Sequence, residues 1–404
     1  MTNSRPKISL QKNDALPMRA LLAGARRKQP DLLGLAKRLV LVESPSDDKA
    51  AVDACMDQAA EHAKALGGRV KRHKQREHGD VLELRFGPRK SDPANRILVL
   101  GHLDTVWPLG TLKSMPCRIA PDAQGNSRFW GPGTLDMKVG VAMAFTAIEL
   151  LAEAAQLNQE IILQLNSEEE IGSPVSRPIT EKLAQECAGV YVLEPAQVLA
   201  YKTSRKGTGN WRLAVHGLAA HAGVDFTRGR SAVLELARQI EKISAFTDLK
   251  RGTTVNVGVI GGGSKSNVIA AEAWAEIDVR IARRADGPRI EKRFAALKPT
   301  AKSGCTLTLE GGINRPPMER TRGTVQLFRR AQALATELGK DFGCQLEEAS
   351  TGGASDGNFT SALGVATLDG MGAVGEGAHA THESVLIEHL APRTALLAAM
   401  LAGN

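Results

Sequence analysis

Apolar runs of strand length, set between segments of helix length, restrict this chain more than any other feature. ILVL at 97–100, EIILQLN at 160–166 and GVYVL at 189–193 read as buried strands. Helical patterns separate or flank them at 48–66, at about 137–154, between 166 and 189, and on a stretch from about 31 through Val40. A half-buried strand at 80–86 precedes the first run. Neighbouring strands joined by helices of this length require crossover connections, so the spacing predicts an α/β fold: a mostly parallel sheet flanked by helices.

Between about Ser204 and Pro316 the rhythm changes. Strand (210–216), helix (231–246), two strands (253–260 and 272–282), helix (287–297) and strand (306–310) follow in the order βαββαβ, a self-contained small α+β unit. After Pro316-Pro317 the first rhythm resumes with a helix at 323–338, a strand at 365–368 and a terminal helix. The expected organisation is one domain in two parts, 1–204 and 317–404, interrupted by a smaller domain at 205–316.

Composition narrows the functional classes. A chain of 404 residues with 43% hydrophobic and 24% charged residues is of globular type and long enough for two domains. The net charge of +8 raises nucleic acid as a partner. The densest basic cluster, Lys71 to Arg76, leads into the strand DVLELRF and reads as a solvated hairpin edge, and 4% aromatics supply no base-stacking platform. No run approaches a membrane span, and no secretory signal is seen in the first thirty residues. Cys55, Cys117, Cys187, Cys305 and Cys344 show no paired spacing, which points to free thiols in a reducing compartment. Cytoplasm is the expected location, with neither membrane nor nucleic acid as partner.

The strand ends carry the chemistry. ILVLGHLDTV presents His102 and Asp104 two positions apart, so an extended chain puts both on one side. One ring nitrogen of His102 is then available to a metal while Asp104 accepts the other N–H. GPGTLDMKVG places Asp136 at a helix entrance, where it is either a helix cap or a ligand. NSEEEIGS closes the strand 160–166 with Glu168, Glu169 and Glu170, and GVYVLEP ends in Glu194. All of these fall at the carboxyl edge of a parallel sheet, where open α/β folds place their sites. Near the end of the chain, spacing alone offers either His379 or His382 as a further ligand. Together these residues suit a two-metal site of nitrogen and oxygen donors; zinc fits best, with cobalt or manganese as substitutes.

GHLDTV, GPGTLDMK, NSEEEIGS, VLEP, GLAAHAG, DVR and TGGASDGN occur in the order seen in the dinuclear zinc metallopeptidase family that contains glutamate carboxypeptidase, aminoacylase, acetylornithine deacetylase and succinyl-diaminopimelate desuccinylase. The chain resembles that family from LVESPS at 41–46 to the last helix. The resemblance implies His102, Asp136, Glu170, Glu194 and His379 as ligands of two zinc ions, with Asp136 bridging. It implies Glu169 as general base, Asp104 as the group orienting His102, and Glu168 outside both roles and most tolerant of losing its charge. His379 is favoured over His382 because the family's histidine is followed four positions later by glutamate, here Glu383.

The same resemblance implies that the inserted domain makes a homodimer. It implies that His221 reaches across the dimer to the scissile carbonyl, that Asn267 and Arg280 bind a substrate carboxylate, and that Gly352, Gly353 and Ser355 line the substrate. On the residues alone, Arg280 in an apolar strand is equally an internal ion-pair partner. SEEEIGS, VLEP, SNVIA and DVRIAR are most similar to the glutamate carboxypeptidase branch. The implied reaction is hydrolysis of an amide bond to a C-terminal amino acid in an N-acyl amino acid or short peptide, with N-acyl-amino-acid deacylation as the first alternative and a non-catalytic member that binds such conjugates as the second.

Overall fold

A computed structural model of the chain describes residues 17–90, 92–343 and 345–403. Cys344 and the first sixteen residues lie outside the described residues. The chain divides into two compact units, residues 1–204 with 320–350 and 355–404, and residues 205–319 with 351–354.

The first unit opens with α1 (Met18–Leu41), α2 (Lys49–Ala65), β1 (Arg69–His73), β2 (Val81–Phe86), β3 (Arg96–His102), α3 (Val139–Glu153), β4 (Glu160–Asn166), α4 (Arg177–Gln185) and β5 (Gly189–Val192). The inserted unit supplies β6 (Gly207–His216), α5 (Ala232–Ser244), β7 (Thr254–Gly262), β8 (Glu272–Ile281), α6 (Asp286–Ala295) and β9 (Thr306–Arg315). The first unit then resumes with α7 (Arg322–Leu338), α8 (Gly357–Ala362), β10 (Thr367–Leu368) and α9 (Leu390–Leu401).

Six strands of the first unit form one sheet in the order β1-β2-β4-β3-β5-β10. The four from β4 to β10 run parallel, and β1 and β2 add an antiparallel edge. The basic cluster falls on that edge, where Arg72 pairs with Asp57 and Asp80, and Lys71 with Glu83. Alternation along β3 explains its apolar run. Ile97 and Val99 enter the large core shared with α1, α2, α3 and α9, while Leu98 and Leu100 face the smaller core under α4. A strand covered on both faces cannot afford a polar side.

α1 begins thirteen residues before the stretch expected from pattern and runs unbroken through Pro30. Proline removes one helical hydrogen bond. Leu21, Leu22 and Ala25 before it, and Leu32, Leu35 and Leu39 after it, all bury into the same core, and this packing outweighs the local cost.

The inserted unit has the predicted βαββαβ order, its four long strands pairing antiparallel as β7-β8-β6-β9. Its core contains Trp211 stacked on Phe294 at 4.4 Å, with Phe246 edge-on to the same ring at 5.3 Å. Among the described residues no helix is long and apolar enough to cross a membrane.

Candidate metal centre

The parallel register aligns His102 at the end of β3 with Asn166 at the end of β4, so HLD and SEEE leave the sheet side by side. β5 borders β3 on its other side and delivers Glu194 two residues past its end. The loop 131–138 enters the same edge just before α3. Its Gly133 has a left-handed φ of 68°, and a Cβ there would meet Thr105 at 2.6 Å, so both backbone and space demand glycine. Asp136 is not a cap: α3 has no side-chain cap, and the carboxylate turns to the histidines instead.

Asp136 stands between two imidazoles. Its Oδ1 lies 3.2 Å from His102 Nε2 and its Oδ2 3.5 Å from His379 Nε2. Glu170 Oε2 lies 3.0 Å from the same His379 nitrogen, and Glu194 Oε1 3.8 Å from His102 Nε2. One donor atom from each of His102, Asp136 and Glu170 fits within 4.8 Å, as does one from each of His102, Glu169 and Glu194. His102 turns Nδ1 to Asp104, 3.0 Å from its carbonyl and 3.3 Å from its carboxylate, so Nε2 is the atom that faces the acidic cluster. Asp104 also accepts the Ser46 hydroxyl at 2.6 Å and the backbone N–H groups of Glu169 and Glu170, both at 3.2 Å. It therefore orients the histidine and the glutamate triplet together.

So many carboxylates in a buried space require compensating charge. In the protein alone, protons on the imidazoles supply part of it. His379 is pushed up to about 10 by its contacts with Asp136 and Glu170. Burial opposes a charged His102, yet Asp104 and Asp136 carry it well above its ordinary value. Asp136, which burial would raise, is held below the usual carboxylate range by His102 and His379. Glu170 is raised by burial, against the pull of His379. The donor set of imidazole nitrogens and carboxylate oxygens fits divalent cations in place of those protons.

Residues 98–403 match peptidase family M20/M25/M40. The chain belongs to that family. Over 389 residues it is 27% identical to carboxypeptidase G2 of Pseudomonas sp. strain RS-16, covering 94% of this chain and 91% of that protein. The solved structure of aminopeptidase PepT from Bacillus cereus shares the fold with a TM-score of 0.73 at 22% identity, over 93% of this chain and 98% of that one. The YXEP protein of Bacillus subtilis, a dinuclear metal binding peptidase, does so with a TM-score of 0.65 at 13% identity, over 93% and 98%. Membership makes this M20-family chain a hydrolase of the metallopeptidase class.

The remaining sequence-derived residues of the peptidase fall in different places. In the inserted unit, His221 and Asn267 come together on a two-strand ribbon in which His221 pairs with Val268, and the Asn267 carbonyl accepts Ala222 N–H at 3.0 Å. His221 is exposed and its Nδ1 accepts Gly223 N–H at 3.1 Å, which puts the proton of the neutral ring on Nε2. Arg280 is forked by Asp278, at 2.9 and 2.8 Å, and reaches the Gly352 carbonyl at 3.5 Å. Arg205 holds the Gly353 carbonyl at 3.2 Å. Ser355 departs from the expectation of a substrate-lining group. It is fully buried, and its hydroxyl donates to Asp369 at 2.6 Å. His382 is exposed.

Pattern reasoning gave no role to two residues beside the site. Glu168 is fully buried, with Oε1 accepting Val175 N–H at 3.0 Å and Ser176 N–H at 2.6 Å, and Oε2 accepting Ser167 N–H at 3.1 Å. It staples the loop that carries Glu169 and Glu170. Lys138 is buried, with Nζ donating to the Leu39 carbonyl at 3.0 Å and the Val42 carbonyl at 2.8 Å, so it caps the end of α1. A lysine at the mouth of an apolar helical run was the visible signal for the second. Nothing in the triplet distinguished Glu168.

Proposed function

We propose that this peptidase hydrolyses an amide bond to a C-terminal amino acid, releasing glutamate or a related residue from N-acyl or peptidyl conjugates, at a site for two zinc ions. The observation that carries this reading is Asp136 between His102 and His379, with Glu194 on one side and Glu170 on the other. All five offer nitrogen or oxygen donors of the type zinc takes, and cobalt or manganese would substitute. When bound, such ions supply Lewis acidity and ease the deprotonation of water.

The chain's own residues do the rest. Glu169, beside His102 and Glu194, takes a proton from the attacking water and returns it to the leaving amine. Asp104 holds His102 in one orientation. His221 donates from Nε2 to the carbonyl oxygen as charge develops there, in the site of a second copy of the chain within a homodimer. Asn267 and Arg280 hold the substrate's free carboxylate, and because Asp278 occupies the Arg280 fork, that carboxylate must share or displace it. The reading places the enzyme in the cytoplasm.

The test combines elemental analysis with a panel of peptidyl and N-acyl conjugates of glutamate, aspartate and neutral amino acids. Two zinc ions per chain, loss of turnover on chelation and preference for glutamate conjugates are expected. Arg280→Ala should lower kcat/KM for these substrates about tenfold to a hundredfold, the loss of one charge-assisted pair worth roughly 1.5–3 kcal/mol. Full activity in metal-free protein refutes the metal reading. Preferential release of simple acyl groups moves the activity to deacylation.

A further inference from the structure

We infer that Glu383 is a positioning residue for the metal site: its buried carboxylate fixes the loop carrying Asp136 and sets that donor's distance from His379. The inference rests on the metal reading above and concerns a residue that donates no ligand atom in it. Glu383 is 1% exposed. Its Oε1 accepts the N–H groups of Leu135 at 2.9 Å and Asp136 at 3.1 Å. Its Oε2 accepts Gly133 N–H at 2.9 Å and the Trp107 indole N–H at 2.9 Å.

Three amides within four residues of one loop thus converge on a single carboxylate. Convergent amides of this kind make an anion-binding nest. Here the anion belongs to the chain, so the loop is held in one conformation whether or not a ligand is present. The backbone of Glu383 adds to the clamp, because its carbonyl accepts Gly131 N–H at 3.3 Å.

The path from the clamp back to His379 is short and hydrogen-bonded. Glu383 N–H donates to the Ala380 carbonyl at 2.9 Å, and Ala380 N–H to the Gly377 carbonyl at 2.8 Å. His379 itself sits in the left-handed region at φ 61°, which a non-glycine residue keeps only when its surroundings enforce it. One end of this segment grips the Asp136 backbone while the other presents the imidazole 3.5 Å from the Asp136 carboxylate. Trp107 brings in the loop that follows His102 and Asp104. Glu383 therefore ties together three donor-bearing loops, two through their backbones and the third through the Trp107 side chain.

Glutamine has the same size but one acceptor oxygen, so its NH2 must face two of the four N–H donors. The test is Co2+ titration of the chelated full-length protein and of Glu383→Gln, followed by the visible absorption of the bound ion, with far-ultraviolet circular dichroism to establish folding. Co2+ affinity should fall about tenfold to a hundredfold, and the absorption bands at saturation should shift, because the donors are no longer held in register. Unchanged affinity with an unchanged spectrum in the folded variant overturns the role of Glu383. If Glu383→Gln does not fold, Glu383→Asp, which keeps both oxygens on a shorter stem, is read by the same two outcomes. A parent protein that takes up no Co2+ refutes the metal site itself, so the two failures are distinguishable.

Discussion

Replacing Glu168 by glutamine should cost this protein stability, not turnover alone. From sequence, Glu168 is the member of the triplet expected to tolerate neutralisation best; its surroundings reverse that order. Oε1 receives the Val175 and Ser176 N–H groups, and Oε2 receives the Ser167 N–H and lies 2.8 Å from the Ser167 hydroxyl. That hydroxyl also reaches the Gly79 carbonyl at 2.6 Å, so it can keep its proton there and accept from an amide. The least costly placement of glutamine therefore turns its NH2 toward Ser167 and strands one backbone N–H. Losing one hydrogen bond to a charged group costs roughly 1.5–3 kcal/mol, and the two bonds that remain lose their charge assistance, for a total of about 2–5 kcal/mol. At about 2–4 °C per kcal/mol for domains of comparable size, the apparent Tm should drop by roughly 4–20 °C. Thermal unfolding with metal saturating measures it. Glu169→Gln should keep its metal while turnover falls about 10²–10⁴-fold, and Glu170→Gln should lose metal. A Glu168→Gln protein melting with the parent would refute the reasoning, and metal loss in the Glu169 variant with retention in the Glu170 variant would exchange their roles.

Two further outcomes are expected. Mixing inactive His221→Ala and Glu169→Gln chains should restore part of the activity if His221 serves a second copy's site; no recovery in demonstrated heterodimers would end that assignment. The Glu83 carboxyl, which burial would raise, is held at about 2 against an ordinary 4.5 by hydrogen bonds from Arg85 and His73. Its folded-state pKa is the lower one, so its stabilisation, about 3 kcal/mol, is present above pH 4.5 and lost as pH falls toward 2. Unfolding measured against pH should show the gap between parent and Glu83→Gln closing over that window, and a constant gap would contradict it.

What was legible in the sequence follows from what pattern encodes. Apolar runs with ends at Leu100, Asn166 and Leu193 marked the strand ends, and a parallel sheet then brings His102, the glutamates and Glu194 to one edge without further information. The inserted unit was equally visible, because its alternation of strand and helix carries its own period. The direction and surroundings of a polar side chain have no such period. Glu168 and Glu169 are adjacent and chemically identical, yet one accepts amides from its own loop while the other joins the acidic cluster. Ser355 sits in a glycine-rich stretch that reads as an open loop, and only the position of Asp369 reveals that its hydroxyl is committed. A short helix at LLAGARRK was legible, but its continuity with the stretch after residue 31 was hidden by Pro30, whose local signal is overridden by leucines buried on both sides of it.

The clamp on the 131–136 loop also carries a constraint of time. Glu383 lies 250 residues beyond Gly133, with the whole inserted unit made in between. At ribosomal rates of about 5–20 residues per second, the loop waits roughly 12–50 s for the carboxylate that holds it. During that interval the nascent chain already displays His102, the glutamate triplet and Glu194, but its Asp136 amide has no Glu383 to meet. The conformation of this loop is thus settled late in synthesis, and a fragment ending before Glu383 would present most of the same acidic residues with the 131–136 loop unclamped.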